Sequence, residues 1–153
     1  NKRQYNNDSN GGMNVSNKAL PFEVERGFTA MPNAVSDLYT MHPRFTGATE
    51  RLYLFLLRRY NADKGYAYPS YKAIKEHTKI GSDETVSNAI KSLEHLGLIS
   101  VEQVRMANGN KSNRYYFRKP IESYEEFMRK FGDELPKRYR SKTDETDELS
   151  EWF

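Results

Sequence analysis

Between Ser82 and Ser92 the chain sets small polar and basic side chains against a regular apolar repeat. Val86, Ile90 and Leu93 recur at i, i+4 and i+7 and make the apolar face of a helix. Thr85, Ser87, Asn88, Lys91 and Ser92 are assigned to the opposite face. Hydroxyls, a carboxamide and an ammonium group are what hydrogen-bonds base edges and phosphate oxygens, and side chains of this size fit a DNA major groove. Ser82 suits the N-cap and is a further candidate contact, with Asp83 and Glu84 in the first turn, where the helix dipole favours acids. No catalytic or metal-ligating set accompanies this face. His42, His77 and His95 have no partner histidine, cysteine or carboxylate at ligand spacing, and no phosphate loop, nucleophile elbow or HExxH element appears. Asn108-Gly-Asn-Lys111 is expected to be a turn. Neither a cofactor nor a metal is expected, and the chain is expected to bind rather than to catalyse.

These groups need elements to position them. Ser70 can cap a short helix that begins after Pro69, and the run from Pro69 to Ile99 then reads as two helices and a stop, a helix-turn-helix. Ser70, Tyr71 and Lys72, at the start of the first helix, are expected to anchor phosphate through hydroxyls and backbone amides. Leu96-Gly97 ends the second helix, Ser100 to Val104 is extended, Asn108-Gly109 marks a hairpin tip, and Ser112 to Phe117 returns, with Tyr115 and Phe117 on one face and Arg114 and Tyr116 on the other. A helix-turn-helix followed by such a hairpin is a winged helix. Its wing offers Arg105, Asn110, Lys111 and Arg114 to the phosphate backbone or a minor groove. Upstream, Asn33 to Leu38 is a short helix and Thr46 to Tyr60 the scaffold helix, capped by Thr46 or Thr49, with Leu52, Phe55, Leu56 and Leu57 as its apolar body. Gly65-Tyr-Ala-Tyr68 is expected to close the wing sheet as a short strand, and Phe22, Val24 and Phe28 to form a strand or extended arm. The fold class is mainly α with a small β-sheet (α+β): a winged helix-turn-helix with an extra C-terminal helix and flexible tails.

The run Tyr68-Pro-Ser-Tyr, followed by Thr85-Val-Ser-Asn-Ala-Ile-Lys-Ser-Leu-Glu-His-Leu-Gly-Leu-Ile99, resembles the winged-helix domains of replication initiator and primosomal-type proteins of Gram-positive plasmids and phages. The resemblance covers roughly residues 28–118 on a boundary precision of a few residues. It implies binding to double-stranded DNA at a repeated or palindromic site, a bacterial cytoplasmic setting on nucleoid or plasmid, and a role in initiating replication. Nothing on the groove-facing helix separates that role from plasmid partition at a centromere or from transcriptional repression. The chain departs from the pattern at Lys79, where a turn glycine is common, at Gly81, which lengthens the turn, and at Asp83 and Glu84, where basic or neutral residues are frequent. The two acids leave open a different class of function, an adaptor for a helicase or a polymerising partner.

Charge follows the motif. Residues 21–120 carry fifteen basic against ten acidic side chains, residues 121–153 six against ten, and residues 1–20 three against one. The basic part is the helix-turn-helix part. The expected organisation is a disordered segment over 1–20, a winged-helix domain over 21–120, a C-terminal helix over 121–135 and a charged flexible tail over 136–153. In the C-terminal helix Tyr124, Phe127, Met128 and Phe131 recur at i, i+3, i+4 and i+7, a stripe suited to a homodimer or to the domain itself. The tail turns acidic at Asp144 and ends in Trp152-Phe153, which suits either a solvated end or a peptide that docks on a replication or partition protein. The chain lacks cysteine, and its longest apolar run, Leu52 to Leu57, is too short to span a membrane.

Overall fold

Hydroxyl side chains start four helices. Thr46 Oγ1 accepts the Thr49 amide at 3.2 Å, Ser70 Oγ that of Ala73 at 3.1 Å, Ser82 Oγ that of Thr85 at 3.1 Å, and Ser123 Oγ that of Glu126 at 3.4 Å. Each answers one amide that the first turn leaves without a carbonyl partner. The computed structural model describes residues 20–140. The expectations for 1–19 and for the acidic stretch after 140 lie outside the described residues. The elements run α1 (Asn33–Asp37), a 3-10 turn (Tyr39–Met41), α2 (Gly47–Arg59), α3 (Tyr71–Thr78), α4 (Asp83–His95), β1 (Ile99–Arg105), β2 (Lys111–Phe117), α5 (Tyr124–Phe131), a second 3-10 turn (Gly132–Glu134) and α6 (Lys137–Arg140). A mostly helical chain with a small antiparallel sheet is the α+β winged-helix-like fold that the sequence predicts.

The core is the meeting of the apolar faces. Leu52, Tyr53, Phe55 and Leu56 of α2, Ile74 of α3 and Val86, Ala89, Ile90 and Leu93 of α4 are buried together. Tyr115 enters this core from β2 and is fully buried, which pushes its hydroxyl up to about 12, with Asn113 Nδ2 donating to its oxygen at 3.2 Å.

The strand expected at Gly65–Tyr68 is reduced to a bridge. Ala67 and Tyr115 exchange both backbone hydrogen bonds, at 3.0 and 2.8 Å, but the ladder extends no further. Its next donors are unavailable: Gly65 N–H is engaged by Asn61 O at 2.8 Å, and Pro69 has none. The sheet therefore has two named strands, β1 and β2, in antiparallel register from Ile99↔Phe117 to Arg105↔Lys111. Residues 106–110 form the tip, with Gly109 at φ +85° and Met106 N–H bonded to Asn110 O at 2.7 Å. Phe22, Val24 and Phe28 form no strand; they lie exposed in an arm that reaches the end of α2, and the cleft between them is lined by Arg26, Phe28, Arg58, Tyr60 and Phe117.

The C-terminal stripe folds inward. Phe127 and Phe131 are buried in the same core as α2 and α4, edge-on to Tyr39 at centroid distances of 5.0 and 6.2 Å, while Tyr124 and Met128 pack partly buried against it. Tyr39 Oη in turn accepts the Ile121 amide at 2.9 Å. The two phenylalanines thus bury within the protomer and not on a second copy, because the 3-10 turn at Tyr39–Met41 supplies the apolar surface they need. Residues 137–140, expected as flexible tail, form the short helix α6, with Tyr139 packed against the core.

Candidate nucleic-acid interface

Two left-handed residues set the recognition unit. Lys79 ends α3 at φ +62°, its N–H bonded to Lys75 O at 3.0 Å, and buried Ile80 follows. Gly97 ends α4 at φ +70°; its N–H donates to Glu94 O at 3.0 Å and that of Leu98 to Leu93 O at 3.0 Å, with both leucines buried. Each is the local reversal that lets a helix stop and the chain turn back onto its core. Lys79 does with an ordinary side chain what a glycine would do without strain.

On α4, Thr85, Asn88 and Lys91 are exposed, Ser87 is half-buried, and Ser82 is exposed at the cap. The Ser82 hydroxyl is already engaged, accepting the Thr85 amide and donating to Thr85 Oγ1 at 2.9 Å, so these two act as one small polar knob. Ser92 does not share the face: it is buried and accepts from Arg44 Nε at 3.2 Å. Ser92, one step from Leu93, is held against the loop before α2, which the helical repeat alone does not reveal. Arg44 is a contact that sequence reasoning missed. Asp83 pairs with Lys75 at 2.8 Å across the turn, which offsets one of the two acids at the start of the helix. Ser70 and Lys72 are exposed at the start of α3, whereas Tyr71 is half-buried and packs on the core.

The wing separates into a tip and a face. Arg105, Asn110 and Lys111 are exposed, and Arg105 and Lys111 stand opposite each other in register. Like charges placed opposite each other weaken a sheet, so the charges of this pair do not stabilise the hairpin. Arg114 lies elsewhere: its guanidinium sits over the Tyr66 ring at 4.8 Å and within 3.7 Å of Glu102.

A second cluster joins residues 42, 95 and 134. His42, buried, bonds through Nε2 to Glu134 Oε1 at 3.2 Å, and His95 Nε2 meets the same oxygen. Their separation in sequence hid the carboxylate. The donor set is of metal-ligating type, but the Arg44 amide donates to His42 Nδ1 at 3.0 Å. The ring proton of neutral His42 therefore sits on Nε2, where it faces Glu134 and leaves no lone pair for an ion. Burial holds the His42 pKa below its ordinary value, and the hydrogen bond from His95 holds the Glu134 carboxyl below its own. The cluster fastens the segment after α5 to the last turn of α4.

Among the described residues no helix is long and apolar enough to cross a membrane. No curated protein and no solved structure matches the chain. Residues 46–99, from the N-cap of α2 to the first residue of β1, match a helix-turn-helix domain family, so this part of the chain carries a helix-turn-helix domain, and the match points to DNA binding.

Proposed function

We propose that the protein binds duplex DNA at a specific site by setting α4 in the major groove and its wing tip on the flanking backbone. The observation that carries this is the division of α4: Val86, Ile90 and Leu93 are buried, while Thr85, Asn88 and Lys91 stand exposed with no role in the core. Asn88 is suited to a bidentate contact with adenine, and Thr85 and Lys91 to neighbouring base edges or phosphates. Ser70, Lys72, Arg105, Asn110 and Lys111 supply sequence-independent anchoring, and Tyr71, held at the start of α3, supplies position rather than reach. One such helix reads only a few base pairs, so two copies on a repeated or palindromic site belong to this proposal; their contact lies away from Phe127 and Phe131. Replication initiation is the role favoured by the resemblance of the Tyr68–Tyr71 and Thr85–Ile99 runs to initiator-type domains, and cytoplasmic, nucleoid-associated action follows from it. The adaptor alternative loses support from the Lys75–Asp83 pair, which offsets one of the two acids that suggested it.

Selection of bound sequences from a random duplex pool tests the proposal. A defined site should emerge, and Asn88→Ala should weaken binding to it by about 1–3 kcal/mol while relaxing preference at one base pair. Equal loss on specific and random duplex would reduce Asn88 to a backbone contact. Absence of binding to any duplex at low salt would turn the assignment toward the adaptor.

A further inference from the structure

The outward face of the wing sheet carries more aromatic surface than a solvent-facing sheet needs. The register defines that face. Val101 and Tyr115 pair toward the core, so the flanking pairs Ser100↔Tyr116 and Glu102↔Arg114 point outward, and Ala67, bridged to buried Tyr115, sends Tyr66 and Tyr68 to the same side. The side chains meet there as a row. The Tyr66 ring lies 5.9 Å from that of Tyr68 and 5.4 Å from that of Tyr116. Lys64 Nζ sits 4.4 Å from the Tyr68 centroid and the Arg114 guanidinium 4.8 Å from that of Tyr66. Tyr68 is 46% exposed, and Tyr66 and Tyr116 are half-buried.

We propose that this row is a stacking platform for single-stranded nucleic acid, separate from the duplex contacts of α4. Lys64 and Arg114 lie over one face of Tyr68 and of Tyr66, so the opposite faces of these rings, with the ring of Tyr116, are the ones offered to unstacked bases, and the two cations offer charge to the phosphates between those bases. Glu102 is the one acid of the row; it pairs with Arg114 at 3.7 Å and accepts from Tyr116 Oη at 3.4 Å, so it orders the row as well as adding an opposing charge. Mutual contact holds the rings in place before a ligand arrives, which lowers the ordering cost of binding. Ser100, opposite Tyr116, is small and leaves that ring approachable. A duplex hides its base faces in its own stack, so the platform selects open strands, and interleaved cations favour a polyanion over a peptide.

Fluorescence anisotropy of a labelled 20-mer of thymidine with the full chain is the test, with an abasic 20-mer as the phosphate-only control. The thymidine strand should bind clearly more tightly than the abasic strand. Tyr68→Ala and Tyr116→Ala should each weaken it about tenfold, a loss within the usual range for one stacked base. Tyr68→Ala changes an exposed side chain, so its melting curve should match the parent, and its affinity for the selected duplex should be unaltered. Equal binding of thymidine and abasic strands, no binding of the thymidine strand, or indifference to both tyrosines would overturn the proposal. The duplex measurement with Asn88→Ala stands or falls independently of these results.

Discussion

Lys79→Gly and Gly97→Ala should change stability by similar amounts in opposite directions. Both positions end a helix of the recognition unit in the left-handed region, at φ +62° and +70°. That region costs a residue with a Cβ about 1–2 kcal/mol, and glycine costs ~0.5–1 kcal/mol more than alanine through the entropy of the unfolded chain. The difference predicts a net gain of ~0.5–1 kcal/mol for Lys79→Gly and a comparable net loss for Gly97→Ala. Side-chain contacts do not disturb this comparison. A Cβ at Gly97 meets only Lys130 Nζ, at 3.3 Å, the mobile end of a long chain, and Lys79 is exposed. In thermal melts the midpoint should rise by ~1–4 °C for the first variant and fall by a similar amount for the second. A neutral Gly97→Ala, or a Lys79→Gly that destabilises, would show that backbone strain is not the governing energy at these turns.

At the wing tip, Lys111→Ala should lower affinity for all duplex sequences alike and reduce the salt slope by about 1; an unchanged slope would remove this residue from the interface. Phe127→Ala should cost about 3–5 kcal/mol in urea unfolding, independently of protein concentration, because the ring is buried within one protomer; a cost that tracks dissociation of a dimer would refute this. Acidification should destabilise the fold. His42 and Glu134 both have folded pKa values below their unfolded ones, so the unfolded chain takes up more protons as pH falls, from about 6.5 for the histidine and through the carboxylate range for Glu134. His42→Asn should make the melting temperature less dependent on pH between about 7 and 5; an undiminished dependence would assign it to other groups.

Local physics placed most of the fold in the sequence. Serine and threonine caps, a 3.6-residue apolar period and the Leu96-Gly97 stop each act over a few residues, so α2, α3, α4 and the hairpin could be read directly, along with the exposure of Thr85, Asn88 and Lys91. Where partners come from far along the chain, no local rule reaches them. The helical repeat assigns Ser92 to the outer face, but Arg44, forty-eight residues earlier, holds it inside. The stripe of α5 suits the domain and a second copy alike, and its packing on Tyr39 buries it within the protomer. The strand before Pro69 shrank to one bridge because Asn61 engages the amide that the ladder required.

The helix-turn-helix is legible along the chain, since helix starts, stops and amphipathic faces are set by neighbours within a turn or two. Which surfaces remain outside it depends on how the elements pack. Packing joined His42, His95 and Glu134 into one cluster, buried the rings of α5 within the protomer, and aligned Tyr66, Tyr68, Tyr116 and Arg114 on one face of the wing. Contacts between residues tens of positions apart depend on the path of the backbone through three dimensions, and no periodicity along the chain encodes that path.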